Sequence, residues 1–185
     1  MRAWQVLALA GSLRSGSRNR ALLEAAGRIA PPALRIELYD GLGQLPLFNP
    51  DVDAAASRAV ARLEAAVRAS DALLIACPEY AHGVPGAFKN ALDWLVGGEA
   101  FVNKPLALWN TAPRARHAQQ ALAEIVTTMS GRLLPEAGLA LPLLGTTVDA
   151  AAIAADPAMR AAIQAALIRY AAALRLLQSH DAGKS

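Results

Sequence analysis

Apolar positions along the chain follow two patterns that take turns: short apolar-rich runs, and longer stretches with helical spacing. Short runs at residues 4–10, 34–39, 72–77, 105–110 and 133–141 predict strands. The run Leu73-Leu74-Ile75-Ala76 has no polar position, as expected of a strand covered on both faces. Between the runs, Leu22, Leu23, Ala26, Ile29 and Ala30 share one helical face. So do Val60, Leu63, Val67 and Ser70, then Phe88, Ala91, Leu92, Leu95 and Val96, then Ala118, Leu122, Ile125 and Met129. A last helix is expected to open at Asp156-Pro157, a cap followed by proline at the first helical position, and to run through Met159, Ile163 and Tyr170 to Leu177. The alanine-rich residues 150–155 read as its lead-in and residues 179–185 as a frayed polar tail. Strand and helix alternating five times imply an α/β fold: a parallel sheet with helices on both faces, in one domain over residues 1–178.

Composition narrows the partners more than the fold. At 185 residues and 55% apolar, the chain can bury a large single core. No apolar run reaches the roughly 18 residues needed to cross a bilayer, so no membrane partner is expected. The first residues run directly into a strand, so no signal peptide is expected. A net charge of +3, with scattered arginines and no basic cluster among aromatics, argues against nucleic acid and suits anionic small molecules. Cys77 is the single cysteine, which rules out an internal disulfide and fits a cytoplasmic protein.

The candidate chemistry lies in two loops. Ala10-Gly11-Ser12-Leu13-Arg14-Ser15-Gly16-Ser17-Arg18-Asn19 joins the first predicted strand to the first predicted helix. A helix N-terminus carries N–H groups without internal partners and about half a unit of positive charge, which favours an anion. The hydroxyls of Ser12 and Ser17, the amide of Asn19 and the guanidinium of Arg14 can complete a phosphate cradle; a plain helix cap at Ser17 or Asn19 is the alternative. Gly11 and Gly16 have GxxxxG spacing, but Ser17-Arg18 stands where a triphosphate-binding loop needs Lys and then Ser or Thr. GxGxxG is absent, which argues against a tightly held dinucleotide. In open parallel sheets ligands sit beyond the carboxyl ends of the strands, near the point where strand order reverses. The loop after the third strand, Cys77-Pro78-Glu79-Tyr80-Ala81-His82-Gly83-Val84-Pro85-Gly86, is therefore the second place to look. Its prolines stiffen it, its glycines let backbone approach a flat ligand, and Tyr80 and His82 offer ring faces.

These segments together resemble the NADPH-dependent FMN reductase family, the flavodoxin-like quinone, azo-dye and chromate reductases. The residues that carry the resemblance are Gly11-Ser12-Leu13-Arg14 with Ser17 and Asn19, Leu45-Pro46-Leu47-Phe48-Asn49-Pro50-Asp51, Pro78-Glu79-Tyr80, Val84-Pro85-Gly86 and Lys89-Asn90-Ala91-Leu92-Asp93-Trp94-Leu95. They span most of residues 4–110. The resemblance implies a five-stranded parallel sheet in the flavodoxin-like order 2-1-3-4-5. It implies an FMN site at Gly11, Ser12, Leu13, Arg14, Ser17, Asn19, Pro78, Glu79, Tyr80, Ala81, His82, Gly83 and Thr111, with Ser12, Arg14, Ser17 and Asn19 on the phosphate and Pro78, Glu79 and Tyr80 along the ring. NADPH or NADH would be the donor, and a quinone, azo compound, metal oxyanion or free flavin the small-molecule acceptor, in a ping-pong cycle on one flavin face. A homodimer or homotetramer is also implied. The competing class is a flavodoxin-like electron carrier without NAD(P)H turnover; its expected acidic surface disagrees with the charge of +3.

The chain departs from that family in two places. Ala81-His82 follows the tyrosine where relatives often have asparagine, and the loop after the fourth strand reads Asn110-Thr111-Ala112-Pro113-Arg114-Ala115-Arg116 rather than small and glycine-rich. Arg114 or Arg116 is a candidate for the 2′-phosphate of NADPH. Cys77 reads as a small buried residue, because no phosphatase-type arginine follows it. Glu79 reads as a loop-shaping carboxylate, and His117 and His180 as surface residues. No spacing suggests a metal site. Trp94 lies off the stripe of Phe88, Leu92 and Leu95, and with the apolar loop around Phe48 it predicts an oligomer contact, burial under its own chain being the alternative; the connection 41–53 reads first as a loop folded over its own core, and otherwise as one packed on a second subunit or over a ligand.

Overall fold

The computed structural model describes residues 2–112, 114, 116–143 and 149–182. One parallel sheet contains β1 (Trp4–Ala10), β2 (Leu34–Leu38), β3 (Ala72–Ala76), β4 (Pro105–Asn110), β5 (Arg132–Leu133) and β6 (Leu139–Ala140). Its order is β2-β1-β3-β4-β5, with β6 also paired to β4, so the expected 2-1-3-4-5 order holds. The helices are α1 (Arg18–Ile29), α2 (Arg58–Ala69), α3 (Gly86–Val96), α4 (Arg116–Thr128), α5 (Ala150–Ala155) and α6 (Pro157–Ala182).

The strand pleat sorts the side chains into two cores, because successive residues point to opposite faces. Val6, Ala8 and Ala10 of β1, Ala72, Leu74 and Ala76 of β3, and Ala107 and Trp109 of β4 pack with α1, α5 and α6. Leu7 and Leu9, Leu73 and Ile75, and Leu106 pack with α2, α3 and α4. Every residue of β3 is buried, which explains its unbroken apolar run. Tyr170 of α6 is also buried, and its hydroxyl donates to the Leu73 carbonyl at 2.6 Å, so this deep polar group is satisfied.

Three elements differ from the sequence expectation. The fifth strand, expected as one run, is two pairs of residues separated by a 3-10 turn at Pro135–Ala137. Pro135 has no N–H to give to a ladder, and the indole N–H of Trp109 donates to the Ala137 carbonyl at 2.9 Å, filling the break. Residues 150–155 form a helix of their own, capped by Asp149, whose carboxylate accepts from Ala152 N–H at 2.8 Å. The carboxylate of Asp156 likewise accepts from Met159 N–H at 2.8 Å at the start of α6. That helix continues to Ala182, so residues 179–182, read as the start of a tail, are its last turn.

Trp94 is the clearest correction. It is only 6% exposed, covered by the connection after β2 of its own chain. Its indole N–H donates to the Pro46 carbonyl at 2.8 Å, and its ring meets Phe48 edge-on, with centroids 5.1 Å apart at 84°. Asn90 donates to the same carbonyl at 2.9 Å and accepts from Phe48 N–H at 2.7 Å. The apolar centre of residues 41–53 is therefore strapped to α3, with Leu47 left 87% exposed at its tip.

Trp94→Ala is expected to cost about 3 kcal/mol, lowering the melting temperature by roughly 6–12 °C for a chain of this size; a shift under about 2 °C contradicts the strap. Burial pushes the Cys77 thiol up to about 12, so it stays a neutral thiol at pH 8. The folded protein is therefore expected to resist iodoacetamide at pH 8 and to react once denatured; equal rates in the two states contradict this burial.

Candidate functional site

The chain crosses from β1 outward to β2 and then returns to the other side of β1 as β3, so strand order reverses between β1 and β3. Gly11, just past β1, sits directly on β3: its N–H donates to the Ala76 carbonyl at 2.9 Å. A Cβ built there would lie 2.6 Å from the Cys77 sulfur and 3.1 Å from the Cys77 Cα, so only glycine fits without movement. This contact sets the β1–α1 turn against the loop after β3.

Between them opens a cleft of about 340 Å³. Ser12, Arg14, Gly16, Ser17, Arg18 and Asn19 line it from the β1–α1 turn. Pro78, Glu79 and Tyr80 line it from the β3 loop, and Thr111 and Ala112 from beyond β4.

Several polar residues in and beside the lining are held by specific partners. Ser17 is the N-cap of α1, its hydroxyl accepting from Arg20 N–H at 3.3 Å. Asn19 is 4% exposed, and its side-chain carbonyl accepts from the Thr111 hydroxyl at 3.2 Å, joining residues 92 positions apart. Ser12 accepts from Arg14 N–H at 3.3 Å and shares a 3.0 Å hydrogen bond with the Tyr80 hydroxyl. Asn110 accepts from Ala112 N–H at 2.7 Å and shapes the rim after β4. Among the described residues Glu79 is the one carboxylate in the lining, and it is engaged: its Oε2 accepts from Ala118 N–H at the start of α4, at 2.9 Å.

The electrostatic character follows. Two arginines and the positive end of α1 converge on the cleft, while the carboxylate of Glu79 is turned to α4. Such a donor set can hold an anionic group, and Tyr80, 52% exposed beside Pro78, gives a flat surface next to it.

Not every residue of the expected site meets in this cleft. Gly11 lies behind it, against Cys77. Leu13 lines a neighbouring cleft of about 560 Å³, reached over the other side of the same turn. Ala81, His82 and Gly83 form a tight turn beyond Tyr80, closed by Tyr80 N–H to Gly83 at 3.0 Å and Gly83 N–H to Tyr80 at 2.9 Å. Three lining residues were not expected: Gly16, Arg18 and Ala112. The first two stand in the same motif, whereas Ala112 is placed by the Asn110 turn, which spacing alone does not signal. Arg114 and Arg116 are exposed and do not line the cleft, while Pro113 and Ala115 of that loop lie outside the described residues. Cys77 is buried, its thiol donating to the Pro78 carbonyl at 3.4 Å. Among the described residues no three His, Cys, Asp or Glu side chains group as a metal site, and no helix is long and apolar enough to cross a membrane.

Known proteins share both the sequence and the fold. An NAD(P)H-dependent FMN reductase of Pseudomonas aeruginosa is 42% identical over 128 residues, 64% of this chain and 69% of that protein. A quinone reductase of Pseudomonas putida is 38% identical over 116 residues, which cover 60% of this chain and 62% of that one. The flavoenzyme NAD(P)H:(acceptor) oxidoreductase FerB of Paracoccus denitrificans matches in structure with a TM-score of 0.77 and 27% identity, over 94% of this chain and 98% of that one. The family described as NADPH-dependent FMN reductase matches residues 4–142, the stretch that holds the whole cleft, and the chain belongs to that family of oxidoreductases.

Proposed function

We propose that this protein is an FMN-dependent NAD(P)H oxidoreductase that reduces a small acceptor such as a quinone, an azo compound, a metal oxyanion or free flavin. The observation that carries the reading is the convergence of the α1 N-terminus, the Tyr80 loop and the end of β4 on one cationic cleft. Its donors fit a phosphate monoester: Ser12, Arg14, Ser17, Arg18 and Asn19 surround the positive helix end, and among the described lining residues the one carboxylate, Glu79, is engaged elsewhere. FMN held by Ser12, Arg14, Ser17, Arg18 and Asn19 would supply the redox chemistry, a two-electron transfer from NAD(P)H to the acceptor in a ping-pong cycle.

The protein's share is binding and orientation. Arg14 neutralises the phosphate. Pro78 and Tyr80 give the ring a wall, and the open side of the cleft leaves room for donor and acceptor in turn. Glu79 shapes the loop by holding the first turn of α4 rather than moving a proton. Arg114 and Arg116 stand exposed before and at the start of α4, which supports a role for them at the 2′-phosphate of NADPH. Leu47, Phe48 and Val96 are exposed apolar side chains, which supports a homodimer or homotetramer. A lone buried cysteine supports a cytoplasmic location.

With FMN added, the purified protein is expected to oxidise NADPH in the presence of a benzoquinone, read at 340 nm. Arg14→Ala is expected to weaken FMN binding on the order of 1.5 kcal/mol, about tenfold in Kd. FMN binding without NAD(P)H oxidation leaves only the electron-carrier reading, and no FMN binding overturns the assignment. Replacing Arg114 and Arg116 together by alanine is expected to narrow the preference for NADPH over NADH; an unchanged ratio of kcat/KM values removes their role.

A further inference from the structure

The first turn of α4 grips the loop after β3 with three consecutive residues. Gln119 donates from Nε2 to the Cys77 carbonyl at 3.2 Å. Ala118 N–H donates to Glu79 at 2.9 Å. The His117 ring stacks on the His82 ring, with centroids 4.4 Å apart and planes 22° apart. The contacts fall at residues 77, 79 and 82, on both sides of Tyr80.

The loop needs outside support. Ala81 and His82 have φ values of 49° and 61°, in the left-handed region where a Cβ crowds the backbone. Tight two-residue turns of this hand prefer Asn-Gly or Asp-Gly, and Ala81 has no side chain to hydrogen-bond locally. Two backbone hydrogen bonds between Tyr80 and Gly83 close the turn. The His82 stack is the contact that reaches the turn itself; the other two hold its entry. His117, an exposed residue on α4, has no part in the cleft lining.

We propose that His117 is a positioning residue: through its stack on His82 it holds the turn from Tyr80 to Gly83 and thereby keeps Tyr80 at the edge of the cleft. The proposal rests on the reading of that cleft as the FMN site. While the stack is in place the Tyr80 hydroxyl remains 3.0 Å from Ser12, within the β1–α1 turn. Without it the turn is free to leave its unfavourable backbone region, and Tyr80 goes with it. Because His117 is exposed, truncating it removes no core volume.

The test uses the full chain and two readouts. Amide hydrogen exchange at Tyr80 and Gly83 is measured without FMN, and FMN affinity by titration. His117→Ala is expected to speed exchange at both amides and to raise the FMN Kd by roughly two- to tenfold, the worth of one aromatic pair, with an unchanged melting temperature. His117→Phe, which can stack, is expected to restore both. Unchanged exchange in His117→Ala, or no restoration by phenylalanine, overturns the proposal, as does a general fall in melting temperature. Faster exchange with unchanged FMN affinity keeps the clamp and overturns its tie to the cofactor, so the two readings fail separately.

Discussion

The contact of Gly11 with Cys77 is the constraint on which the site depends. β1 and β3 run side by side, and the chain leaves them toward opposite layers: α1 packs on one face of the sheet and α3 on the other. A crevice must open where the two exits diverge. Its width at the base is set by Gly11, whose N–H is bonded to Ala76 and whose missing Cβ is the space that the Cys77 sulfur occupies. A wider separation would carry the α1 N-terminus away from Tyr80 and split the cationic end of the cleft from its aromatic wall.

Above that base, strands fix positions and side chains fix loops. Asn19 with Thr111, Ser12 with Tyr80, Glu79 with Ala118 and Gln119 with Cys77 each tie one exit loop to another element. Each such bond contributes only about 1 kcal/mol net, so no single one defines the site. Together they give three loops one arrangement, which is what a preorganised binding cleft requires. The positive-φ backbone at Ala81 and His82, just beyond the cleft, lies in the loop that Glu79, Cys77 and His82 tie to α4.

What could be read from the sequence was whatever is local. β1 and β4 have their expected bounds because a continuous apolar run states both ends of a buried strand. The Ser17 cap and the Asp156 cap are legible because a cap acts within three residues. The fifth strand was misread because its apolar residues continue through a proline that the ladder cannot use. Trp94 was misread because its cover comes from Pro46 and Phe48, and helical spacing says nothing about a loop that folds back over it. At the cleft, much of the turn that the motif picks out lines it, but the direction of each side chain does not follow from the motif: Leu13 lines the neighbouring cleft while Arg18 lines this one. The His82–His117 stack and the Asn19–Thr111 bond join residues far apart in the chain, and pattern reading has no access to such pairs.

The central claim is that the α1 end of the cleft binds a phosphate. The most direct test is to titrate the protein with FMN and with riboflavin, which share the ring and ribityl chain and differ in that one group. The account predicts FMN roughly a hundredfold tighter, with the gap narrowing as salt is raised. Equal affinity for the two would contradict it.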